Sequence, residues 1–153
     1  MDGYDVSLAT GTVGWERGVH RAVPTGPKHV KNTYASETPI TDGERIYAYF
    51  GSVGLFVFDL AGSPIWSKEM APVKMRSGHG HASSPALFDD RLVIVNDNDT
   101  QSFVAAFDEK SGRQLWKVER EEGTNWSTPF IWAHDGAAEV ITAGTRGIRS
   151  YKS

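Results

Sequence analysis

Apolar positions along this chain alternate with polar ones, or run together for about four residues, and then break at a short polar turn. The runs "GLFVFDL" and "RLVIVND" are continuously apolar, which predicts strands covered on both faces. Turn signals "TDG", "GSVG", "LAGS", "DD", "NDND" and "EKSGR" separate the runs. They predict four strands over roughly 33–40, 45–50, 54–59 and 64–69, and four more over roughly 82–88, 91–97, 102–107 and 113–119. No segment carries a helical period with caps, so helix is at most incidental.

The pattern repeats. Three segments place a Gly four residues before a Trp: Gly11 and Trp15, Gly62 and Trp66, Gly112 and Trp116, with Trp spacings of 51 and 50. After each of them follows a second element, "ASETPITDGERIYAYFG", "ASSPALFDDRLVIVND" and "WSTPFIWAHDGAAEVITAG", whose Pro39, Pro85 and Pro129 are 46 and 44 apart. Tandem four-stranded units at this period predict an all-β fold, a β-propeller of four-stranded antiparallel blades. A β-sandwich has similar strands and turns but no need for a phased Gly–Trp pair. The expected organisation is one propeller segment over 1–153: 1–20 the end of one blade, 33–70 a second, 82–119 a third, and 124–153 the start of a fourth. A propeller closes with about four to eight blades, so about three blades are an incomplete ring, and the chain reads as a fragment of a longer protein.

Composition narrows the function classes. Sixteen basic and nineteen acidic residues in 153 give a net charge of −3 without any block of like charge, so no nucleic-acid or anionic-membrane footprint is expected. Cysteine is absent, which excludes disulfides, thiolate metal sites and a Cys nucleophile. "MDGYDVSLATG" has neither the basic start nor the apolar core of a signal peptide. No apolar run approaches the roughly 20 residues of a membrane span.

The stretch "AAFDEKSGRQLW" resembles the tryptophan-docking motif of PQQ-like (quinoprotein-type) propeller repeats, Ala-x-Asp-x-x-Thr-Gly-Lys-x-x-Trp. Ala106, Asp108, Gly112 and Trp116 match, with Ser111 for Thr and Arg113 for Lys. The copy ending in Trp66 is one residue shorter between Asp59 and Gly62, and the copy ending in Trp15 has Ser7 at the Asp position. Longer stretches are similar to bacterial repeat proteins akin to the outer-membrane assembly lipoprotein. The resemblance implies that Gly11, Trp15, Gly62, Trp66, Asp108, Gly112 and Trp116 are structural, with each indole packed between adjacent sheets. It further implies a non-catalytic scaffold for protein or ligand binding in an extracytoplasmic, periplasmic setting. The expected partners are other proteins or the remaining blades of a parent protein, with self-association through open blade faces. No cofactor is expected under this reading. The alternatives are a PQQ-dependent quinoprotein dehydrogenase using calcium, in whose alcohol-dehydrogenase branch a vicinal disulfide lies against the quinone, or the sensor domain of a signalling protein.

No catalytic or metal residues are assigned. His79 and His81 in "SGHGHASS" offer two imidazoles, but a catalytic zinc typically needs three protein ligands, and His20, His29 and His134 lie in other repeat units. The pair reads as a polar loop entering a strand. "NDNDTQS" (96–102) is calcium-like in composition but lacks the Gly and distant Glu of an EF-hand, and Asn and Asp favour turns for conformational reasons. "PTGPKHVKN" (24–32) is a basic linker or a binding loop, and "GSVG" (51–54) and "GTRG" (144–147) are hairpins without the helix a phosphate loop requires.

Overall fold

The computed structural model describes residues 1–23 and 26–152. Pro24 and Thr25 of the basic "PTGPKHVKN" stretch lie outside the described residues. Among the described residues thirteen strands form four antiparallel sheets, in which chain neighbours are sheet neighbours. The first sheet pairs β1 (Asp2–Val6) with β2 (Val13–Gly18). The second holds β3 (Ile40–Thr41), β4 (Arg45–Phe50), β5 (Gly54–Asp59) and β6 (Pro64–Glu69). The third holds β7 (Ala86–Phe88), β8 (Arg91–Asn96), β9 (Ser102–Asp108) and β10 (Gln114–Arg120). The fourth holds β11 (Phe130–His134), β12 (Ala137–Gly144) and β13 (Gly147–Lys152). A single 3-10 turn at Arg76–Gly78 is the one helical element among the described residues. This is an open, incomplete propeller ring of about three blades.

The continuous apolar runs are explained by where the third sheet sits. Leu92, Ile94, Ala105 and Phe107 pack with Tyr47, Tyr49, Leu55 and Val57 of the second sheet. The intervening Val93, Val95, Val104 and Ala106 pack with Val140 of the fourth, flanked by Trp116, Ile131 and Tyr151. Successive side chains of a strand point to opposite faces, so a sheet with blades on both sides needs apolar residues at every position of its central strands. Burying these two layers is the main favourable term holding the blades together.

Two predicted strands are much shorter than expected. The runs over 33–40 and 82–88 reduce to Ile40–Thr41 and Ala86–Phe88. The reason is local: Pro39 and Pro85 lack the N–H that a ladder needs, and the residue before each is engaged by the next blade instead. The Thr38 N–H donates to Ser84 Oγ at 2.8 Å, and the Ser84 N–H donates to Thr128 Oγ1 at 3.1 Å. A hydroxyl one residue before the phased proline thus ties each blade root to the following one.

Candidate functional site

Each phased glycine turns the chain into the outermost strand of its sheet. Gly11, Gly62 and Gly112 have φ of 72°, 77° and 69°, a left-handed region that side chains disfavour. The Asp59 and Asp108 carboxylates accept from the Ser63 and Ser111 N–H groups at 2.8 Å and brace the turns. The tryptophans, however, do not meet the glycines of their own copies. Trp15 lies on Gly62 and Trp66 lies on Gly112, each indole belonging to the preceding blade. Trp15 Nε1 donates to the Leu60 carbonyl and Trp66 Nε1 to the Glu109 carbonyl, both at 2.9 Å. Trp116 packs against the layer shared by the third and fourth sheets, with no glycine turn beneath it among the described residues.

The loops entering the second, third and fourth sheets are stitched together on one face. Asn32 Nδ2 donates to the His79 carbonyl at 2.8 Å, the Arg76 N–H to Thr124 Oγ1 at 2.8 Å, and Trp126 Nε1 to the Gly80 carbonyl at 2.8 Å. His79 and His81 fall in this stitching but in different surroundings. The His79 ring stacks at 6.1 Å on Trp126 and meets His29 edge-on at 4.9 Å. His81 lies against Gly51, where a Cβ would sit 2.3 Å from its ring. Its Nε2 is buried without a partner, and burial holds its imidazole down at about 4. Sequence distance concealed the approach of His29 to His79. Among the described residues no three His, Asp or Glu side chains converge as a metal centre.

Beside His81 opens a cavity of about 510 Å³. Its walls include Val23, Tyr34, Phe50, Val53, Met70 and Pro72, together with the acidic residues Glu37 and Glu69. Glu37 is buried; its oxygens accept from the Gly51 N–H at 2.9 Å and the Ser36 N–H at 3.1 Å. Burial nevertheless pushes its carboxyl up, outweighing those bonds. Nothing in the repeat pattern singled out Glu37. The one signal is that Ser83 and Ser127 occupy its place in the other copies, counted from the prolines.

The calcium-like "NDNDTQS" turn is occupied internally. The Asp97 carboxylate binds Arg120 Nε at 2.8 Å and Nη2 at 3.1 Å, and Arg120 also reaches Thr142 and the Tyr151 hydroxyl. Burial pushes the Asp97 carboxyl up against the pull of Arg120. Asn98 Oδ1 accepts from the Thr100 and Gln101 N–H groups, closing the turn. Asp99 accepts from the Thr124 hydroxyl at 2.7 Å and its N–H at 3.0 Å. Nearby, buried Glu122 pairs with Arg149 and accepts from Thr145 Oγ1 and the Arg146 N–H.

A family model described as outer membrane protein assembly factor BamB matches residues 4–148. The chain belongs to the BamB family of PQQ-like repeat proteins. A search of curated proteins gave no match. Among solved structures, BamB from Moraxella catarrhalis aligns with a TM-score of 0.57 at 18% identity, covering 99% of this chain and 44% of that one. Quinohemoprotein alcohol dehydrogenase from Comamonas testosteroni aligns with a TM-score of 0.63 at 14% identity, covering 94% and 27%. A europium-containing methanol dehydrogenase aligns with a TM-score of 0.55 at 15% identity, covering 77% and 21%. At these identities the likeness is one of fold. This BamB-family chain spans less than half the length of each neighbour, and among its described residues no helix is long and apolar enough to cross a membrane.

Proposed function

We propose that this BamB-family segment is a non-catalytic propeller platform, binding a protein or small ligand as part of a larger extracytoplasmic assembly. The observation that carries this reading is the use of polar side chains on the loop face. Asp97, Asn98, Asp99, Arg120 and Glu122 hold blades and turns to one another, while the adjoining cavity is walled mainly by apolar groups. A rigid face with a preformed apolar recess suits recognition. Membership of a family described by outer-membrane protein assembly supports a protein-rich setting, and self-association through open blade faces belongs to the same reading. Fold alone does not assign function; the arrangement of these side chains supplies the argument.

The dehydrogenase alternative draws on the fold likeness to quinohemoprotein alcohol dehydrogenase. The donor set among the described residues does not fit its calcium. That ion takes six to eight oxygen ligands, and the clustered carboxylates of residues 97–99 already bind Arg120 and Thr124. Incubation with PQQ and calcium, followed by gel filtration and a dye-linked alcohol oxidation assay, tests the proposal. No retained quinone absorbance and no dye reduction are expected. About one equivalent of bound quinone with alcohol-dependent reduction would overturn it.

A further inference from the structure

We infer that the cavity between Glu37, Phe50 and His81 is a subsite for a small organic ammonium ion with an apolar body. The inference rests on the chain being a binding platform and names what one recess of it takes. At about 510 Å³ the cavity matches small-ligand pockets. Its apolar walls reward removal of hydrocarbon from water. Charge decides the rest. Among the described residues lining it there is no Lys or Arg, whereas Glu37 and Glu69 are both acidic. The Met1 ammonium at the cavity wall is engaged by the His20 carbonyl at 2.7 Å.

The Glu37 oxygens accept the Gly51 and Ser36 N–H groups, and its own N–H also favours the carboxylate; with about four lone-pair sites, room is left for a further donor. A buried carboxylate without a cation is poorly solvated, and an incoming ammonium supplies the missing counter-charge. Tyr34 and Phe50 line the same space, and aromatic faces attract cations. Lys28 Nζ already lies 5.6 Å from the Tyr34 ring centroid, which leaves Phe50 as the ring for an incoming cation. His81, held neutral by burial at pH 7, adds no repelling charge. An anion would meet two carboxylates, and a neutral molecule would gain burial only.

Benzylamine, benzyl alcohol and benzoate share one ring and differ in charge. Their binding to the full chain at pH 7 can be followed by ligand-observed NMR, with shifts of Phe50 and His81 signals locating the site. Benzylamine is expected to bind about tenfold more tightly than benzyl alcohol, and benzoate more weakly than either. Glu37→Gln should lower benzylamine affinity about tenfold and leave benzyl alcohol unchanged. Glu69→Gln, at an exposed position, keeps the test open if the first variant fails to fold, and should weaken benzylamine about twofold. Benzoate binding as tightly as benzylamine, no probe binding, or an unchanged amine preference in the variants that fold would overturn the inference. PQQ retention is a separate readout and bears on the platform reading alone.

Discussion

The indole of Trp66 lies on Gly112 and donates to the Glu109 carbonyl at 2.9 Å, so the tryptophan of one blade is received by the glycine turn of the next. A Cβ on Gly112 would come within 2.7 Å of the indole. Gly112→Ala therefore adds a steric clash to the conformational strain of φ 69°, a total loss of about 2–4 kcal/mol. Gly11 has φ 72°, but a Cβ there would meet nothing within 4 Å, so Gly11→Ala should lose only about 1 kcal/mol. Urea unfolding of both variants checks this, and equal losses would contradict the indole contact.

The same relationship ranks the tryptophans. Trp66→Ala removes both a packed ring and an inter-blade hydrogen bond, an expected loss of about 3–5 kcal/mol. Trp116, with no receiving glycine among the described residues, should lose less when truncated. Thermal unfolding of the two variants gives the comparison; a larger loss at Trp116 would reverse the assignment.

The hydroxyl ladder before the prolines yields a second kind of variant. Ser84→Ala removes the acceptor of the exposed Thr38 N–H and leaves that donor to water. A loss of about 0.5–1 kcal/mol is expected, whereas Ser84→Thr keeps the acceptor and should stay close to the parent. Identical stability of the parent and Ser84→Ala would show the bond to be idle.

Arg120 closes the interface of the third and fourth sheets, and its pair with Asp97 is almost wholly shielded, with side chains 1% exposed on both sides. Arg120→Met strands a buried carboxylate and should cost about 3–5 kcal/mol. Adding Asp97→Asn should recover part of that loss. Denaturant midpoints of the single and double variants report the coupling, and an unrescued double variant would argue against it.

His81 makes stability depend on pH. Its folded value of about 4 lies below the ordinary 6.5, so between these values the unfolded chain binds more protons and stability rises with pH. Acidification from pH 7 toward 4 therefore destabilises the protein through this residue. Glu37, whose carboxyl is pushed up, has the opposite sign over the window above its ordinary value. His81→Gln should flatten the acid-side decline relative to the parent. Parallel pH profiles for the two proteins would remove His81 as a cause.

Blade count, strand faces and turn positions were legible in the sequence because they obey short-range rules. Two consecutive faces of "RLVIVN" must both be apolar, and a glycine must precede each outer strand at fixed spacing. The pairing of Trp15 with Gly62 was not legible, since a repeat states the parts of a unit but not which neighbour they touch. Proline at 39 and 85 shortened two strands because the preceding N–H groups found hydroxyls in the next blade. Glu37 escaped notice for the opposite reason: it departs from the repeat. Its partners, Gly51 and Ser36, are backbone groups that no composition pattern marks.

That Trp15 and Trp66 each grip the following turn has a mechanical consequence. Load applied along the array would be shared at the outer edge by one indole and its N–H bond, and further in by the hydroxyl ladder, the loop bonds and the shared apolar layers. The first junction, closed by Trp15 on a two-stranded sheet, has the smallest layer behind its grip. Under a pulling force the array should yield stepwise, releasing that sheet before the two four-stranded ones part.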